Sequence, residues 1–106
     1  MATISVAVCT LQGAFLQGTP ISAPDSKPRI SEKVTSSGVS AATSGAVPTI
    51  TGTNPAYVWR IAPLGDVWVT FASSPTAAAG TDYIVPAGAT EYFIATPGDK
   101  AAFLDA

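Results

Sequence analysis

From Ala56 to its end the chain alternates apolar and polar residues with a period of two, and turn-forming residues interrupt the alternation every few positions. Tyr57, Trp59 and Ile61 alternate with Val58, Arg60 and Ala62, and VWVTFA follows at 67–72 after Pro63-Leu64-Gly65-Asp66. Asp82-Tyr83-Ile84-Val85 precedes Pro86-Ala87-Gly88-Ala89, then Thr90 to Ala95, then Thr96-Pro97-Gly98-Asp99 and a last run from Lys100 to Leu104. Side chains on a strand point alternately to its two faces, so this spacing is that of strands with one face buried. No stretch repeats apolar residues at helical spacing. Short strands between closely spaced turns predict an all-β chain, a small antiparallel β-sandwich of jelly-roll-like type.

The turns predict pairings. Residues 57–61 and 67–72 read as a hairpin across 63–66, and 82–85 and 90–95 as a second across 86–89. Pro97 and Gly98 sit where a type II turn needs them. Counting across these turns sets Tyr83 opposite Tyr92, Val85 opposite Thr90, Tyr92 opposite Phe103 and Phe93 opposite Ala102. Phe71, Tyr92, Phe93 and Phe103 are then the expected aromatic core.

The first half has a different texture. Residues 2–11 (ATISVAVCTL) read as one strand, with Ile4, Val6 and Val8 on one face. From Gln12 to Asn54 the chain is rich in Gly, Pro, Ser, Thr and Ala, with short β-like runs only near 30–35 and 47–51. Prolines at 20, 24, 28 and 48 forbid a continuous helix or central strand there. The expected organisation is a single β domain over 1–106, most regular over 56–106, with 12–54 as a loop-rich, arm-like region, an extended N-terminal arm or long loops.

Charge narrows the function classes. Only 11% of residues are charged while 47% are hydrophobic, which suits a chain that turns some apolar surface toward a partner. A formal net charge of -2 and a pI near 4.6 argue against nucleic acid, whose binding rests on clustered Lys and Arg. Of the five basic residues only Lys27, Arg29 and Lys33 cluster. The opening 24 residues carry no charged side chain but are interrupted by Gln12, Gly13, Gln17, Gly18 and Pro20, so no membrane-spanning helix is expected. A single cysteine, Cys9, allows no internal disulfide, fits a reducing compartment and reads as a packed strand residue.

The chemistry of catalysis is hard to assemble from this alphabet. The chain has no histidine, which excludes Ser-His-Asp and Cys-His machinery and the commonest zinc sites. Asp82 and Glu91 would approach each other across the 86–89 turn, but as strand-end carboxylates they are expected to be solvated. Asp66 and Asp99 lack the dense acidic spacing of a calcium loop. No enzyme activity, cofactor or metal is expected. Trp59, Trp68 and Tyr57 are the aromatic candidates for core, subunit contact or a sugar-stacking platform.

The stretch from Asp66 to Leu104, with VWVTFASSPTAAAG, then Val85-Pro86-Ala87-Gly88, Glu91-Tyr92-Phe93 and Pro97-Gly98-Asp99-Lys100-Ala101, resembles a group of short tailed-phage virion proteins. The likeness covers about a third of the chain and lies mainly in turn motifs. It is similar in layout to capsid cement, or decoration, proteins. The resemblance implies a structural virion protein, made in the host cytoplasm, that binds the outer capsid surface. Its implied partners are the major capsid protein and copies of itself, as a dimer or trimer at capsid symmetry positions. The partner-interface residues expected on this reading are Trp59, Trp68, Tyr57, Lys27, Arg29 and Lys33. A tail, baseplate or head-fibre component and a carbohydrate-binding adhesion module are the alternatives.

Overall fold

The structure, a computed structural model, describes residues 2–16, 19–24, 28, 30–49 and 57–106. Among the described residues nine strands run β1 Thr3–Leu16, β2 Thr19–Pro24, β3 Ile30–Thr35, β4 Ala41–Ala42, β5 Tyr57–Pro63, β6 Val67–Ala72, β7 Tyr83–Val85, β8 Glu91–Ile94 and β9 Lys100–Asp105. Two antiparallel sheets form from them. The first has the order β3-β1-β5-β8, with β2 paired to the far end of β1, and the second has the order β4-β9-β6-β7. No helix occurs among the described residues.

The alternation read from the sequence determines which side chains meet between the sheets. Ile4, Val6 and Val8 of β1 and Trp59 and Ile61 of β5 are fully buried, and they face Val67, Val69, Val85, Ala101 and Phe103 of the second sheet in one core. At roughly 1.5–3 kcal/mol per large apolar side chain removed from water, this inner layer is the main source of stability. Interdigitation of two inner faces is how a sandwich of this size makes its core.

The expected pairings are corrected. The Pro63 to Asp66 turn does not close a hairpin: β5 pairs with β1 and β8, while β6 pairs with β7 and β9. The 86–89 turn likewise carries the chain from the second sheet to the first, so Tyr83 lies opposite Val69 and Phe93 opposite Trp59. Phe103 lies opposite Val69 on one side and Ala41 on the other. The physical reason is that a tight turn which crosses over the core keeps inward residues inward, so alternation alone does not distinguish it from a hairpin. Backbone bonds hold the crossovers: Leu64 N–H donates to Thr3 O at 3.0 Å and Gly88 N–H to Pro63 O at 3.0 Å. Gly65 is required there, because a Cβ would come within 2.9 Å of the Ala2 Cβ. The last turn has the expected type II character, with Asp99 N–H donating to Thr96 O at 3.1 Å and Gly98 at φ 88°.

Of the region read as an arm or long loops over 12–54, residues 30–49 lie against the sheets. There β3 pairs with β1, β4 pairs with β9, and Val47 is buried with its N–H on Asp99 O at 2.8 Å. Such a segment needs few apolar side chains, because polar ones close its backbone. Glu32 accepts the Ser44 and Gly45 N–H groups at 3.0 and 3.1 Å, and Thr43 Oγ1 accepts from Ala101 N–H at 3.2 Å. Buried Ser36 joins both sheets: its N–H donates to Ala2 O at 2.8 Å, its hydroxyl accepts the Ala2 N–H at 3.0 Å, and that hydroxyl donates to the Asp105 carboxylate. Hydrogen bonding, including that from the Ser36 hydroxyl, holds the Asp105 carboxyl below its usual 3.8. The expected short run at 47–51 forms no strand over its described residues, 47–49. Residues 11–16 of β1 and all of β2 form a two-stranded ribbon, and the molecule measures 46 by 28 by 23 Å.

Candidate functional site

β7 and β8 are the last strands of their respective sheets, and the short 86–90 connection links them. Both outer edges therefore lie on one flank of the sandwich. Four of its side chains are large, apolar and open to solvent: Tyr83 (71% exposed), Ile84 (50%), Tyr92 (46%) and Ile94 (86%). Val39 and Leu64 are comparably exposed elsewhere. The opposite flank is edged by β3, whose Glu32 and Lys33 are charges of the kind that discourage strand addition. The four belong to neighbouring edge strands but not to one face: by register Ile84 points out from the second sheet and Tyr92 and Ile94 from the first, with Tyr83 at the edge between them.

Strand pairing sets how this flank is built. Glu91 and Phe93 share one face of β8, and Tyr92 and Ile94 share the other. Phe93 turns inward opposite Trp59, so Tyr92 and Ile94 face out. On β6, Val67 and Val69 are buried, which places Trp68 on the outer face of the second sheet, opposite Ile84. A column of aromatic rings connects core and flank: Trp59 to Phe71 at 5.6 Å, Phe71 to Phe93 at 5.0 Å and Phe93 to Tyr83 at 5.6 Å, all tilted. Tilted contacts at these separations are favourable beyond the area they bury.

Beside this column lies a cavity of about 390 Å³ lined by Val69, Thr70, Phe71, Thr81, Asp82 and Tyr83. Asp82 anchors the preceding loop, with Oδ2 accepting the Ala78 N–H at 2.7 Å. Asp82 and Glu91 are not joined in one cleft, because they precede or begin strands of different sheets and Glu91 does not line the cavity. Among the described residues, no three His, Cys, Asp or Glu side chains gather as metal ligands would. Asp66 instead accepts the Ala87 N–H at 2.7 Å, fixing the turn between the two edge strands.

The expected interface residues separate. Trp59 and Tyr57 are buried in the core and offer no ring to a partner or sugar, a correction that follows from their inward phase on a central strand. Trp68 is half-buried on the outer face and Lys33 is exposed on β3, on the flank away from Tyr83. Lys27 and Arg29 lie outside the described residues. Tyr92, expected in the core, is at the surface. Tyr83, Ile84 and Ile94 were not singled out by the sequence, although it carries a signal for them. Three consecutive apolar residues, as in Tyr83-Ile84-Val85 and Tyr92-Phe93-Ile94, must on a strand with one buried face leave at least one apolar side chain outside.

No protein-family model, curated protein or solved structure matches the chain at a significant level.

Proposed function

We propose that this chain is a structural subunit that attaches to the outer surface of a larger protein shell and stabilises it, as capsid cement proteins of tailed phages do. The observation that carries the reading is the exposure of Tyr83, Ile84, Tyr92 and Ile94 on β7 and β8, the two edge strands that end the sheets side by side. Such a flank offers apolar contact and short stretches of edge backbone together, the combination used in strand addition. The low charge fraction of the chain agrees with repeated burial against neighbours. The partners on this reading are the shell protein and further copies of the chain. Multiple weak attachments on a symmetric lattice would together stiffen the shell.

The test uses shells assembled without the protein, to which the purified chain is added. Co-sedimentation should saturate at a fixed ratio to the shell protein, and the melting temperature of the shell should rise. Ile94→Lys, at a site 86% exposed, should fold normally and lose occupancy. Wild-type binding with no gain in shell stability would overturn the cement reading. Full occupancy by Ile94→Lys would remove the flank from it.

A further inference from the structure

The cavity beside the aromatic column combines groups that an apolar docking patch does not need. Tyr83 is 71% exposed and meets Phe93 at 5.6 Å, so much of its ring remains open to solvent. Phe71 is held between Trp59 and Phe93, at 5.6 and 5.0 Å, and supplies a fixed apolar wall. Thr70 and Thr81 line the cavity, and Asp82 brings a carboxylate whose Oδ2 is engaged by the Ala78 N–H. That bond holds the Asp82 side chain in place and leaves Oδ1 as an acceptor with no described protein donor. The volume of about 390 Å³ lies within the range of small-molecule sites.

We propose that this cavity binds a neutral pyranose, such as the terminal sugar of a glycan. A pyranose has an apolar C–H face and a rim of hydroxyls, matching one exposed aromatic ring beside a carboxylate acceptor. Other ligand classes fit less well. A purely apolar ligand would strip water from the Asp82 carboxylate without replacing its hydrogen bonds. Phosphates, uronates and sialic acids would meet Asp82 with no cation among the described lining residues. A quaternary ammonium would favour several ring faces around one point, whereas here Phe71 is packed from two sides and Tyr83 alone is widely exposed. The sugar-stacking role considered for Trp59, Trp68 and Tyr57 thus moves to Tyr83. The site shares Tyr83 with the proposed attachment surface but does not include Tyr92 or Ile94, so binding is read on the free chain.

Amide-shift titration of the isotope-labelled chain with methyl glycosides of glucose, galactose, mannose and N-acetylglucosamine tests the proposal. At least one should shift the amides of Thr70 and of Thr81 to Tyr83 saturably, with Kd on the order of 1 mM, as expected for a single small polar ligand. Tyr83→Ala should weaken binding about tenfold while Tyr83→Phe stays within about twofold, the pattern of ring stacking. Asp82→Asn should weaken it several-fold, and Tyr92→Ala should leave it unchanged. Three outcomes overturn the proposal: no saturable shift with any glycoside, saturable shifts that map away from Thr81 to Tyr83, or tighter binding of choline or methyl glucuronide than of every neutral glycoside.

Discussion

Trp59→Phe sets two opposing effects against each other at one fully buried position. The indole is 0% exposed, lies between Val8 and Phe93 in the sheet, and its Nε1–H meets no acceptor among the described residues. A buried donor left without a partner costs roughly 1–3 kcal/mol. Phenylalanine removes that donor. It also removes part of the indole, leaving a void of about 40 Å³ that costs about 1 kcal/mol, with roughly another 0.5–1 kcal/mol of lost apolar transfer. Gain and loss therefore nearly cancel, and Trp59→Phe should stay within about 1 kcal/mol of the parent, whereas Trp59→Ala should lose about 3–5 kcal/mol. Circular dichroism against urea or temperature reads this directly, at roughly 4–8 °C per kcal/mol for a domain of this size. Should Trp59→Phe lose more than about 2 kcal/mol, the indole N–H is satisfied in solution, by an ordered water for instance, and the reasoning fails.

Ser36→Ala removes the acceptor for the Ala2 N–H and the donor to Asp105 in a fully buried position, so it should cost about 1–3 kcal/mol by the same melt. Asp105 titrates below 3.8 in the folded chain, so its ionised form is stabilised by folding; that contribution is complete above 3.8 and is lost as pH falls through the lower folded value. Asp105→Asn should accordingly flatten the acid limb of the stability profile below pH 3.8, and an unchanged limb would remove Asp105 from acid unfolding. Gly88 has φ 79° with open space around its Cβ position, so Gly88→Ala should cost about 1 kcal/mol from backbone strain alone, read as a lowered urea midpoint with unchanged slope.

Period-two alternation made the fold class legible because it reports which side chains share a face, and Ile4, Trp59, Val69 and Phe103 are all buried as their phases require. It does not report which sheet a strand joins. The turn at 63–66 was recognisable from its residues, but whether it doubles back or crosses over depends on partners far away in sequence, here β1 and β9. The same limit hid β4 and the burial of Val47, which rest on backbone bonds to Ala101 and Asp99. At the candidate site, aromatic content pointed to Trp59 and Tyr57, because size was weighed ahead of strand position. An edge strand exposes what a central strand conceals, and edge status is a property of the assembled sheet.

The flank's dimensions bear on what kind of assembly it supports. β7 has three residues and is followed by Pro86; β8 has four, with Pro97 three residues beyond its end. A proline offers no N–H to a ladder, so strand addition on this flank stops after a few residues and does not template an open-ended sheet. Side chains must then supply most of the attachment. At roughly 1–2 kcal/mol for each group, burying Tyr92 and Ile94 on one face together with Tyr83 at the edge gives about 4 kcal/mol. That is at the lower end of the roughly 4–15 kcal/mol needed to immobilise one protein on another. One such contact is too weak to hold a copy, and a surface that engages the same chain at several places, or holds many copies side by side, supplies the difference.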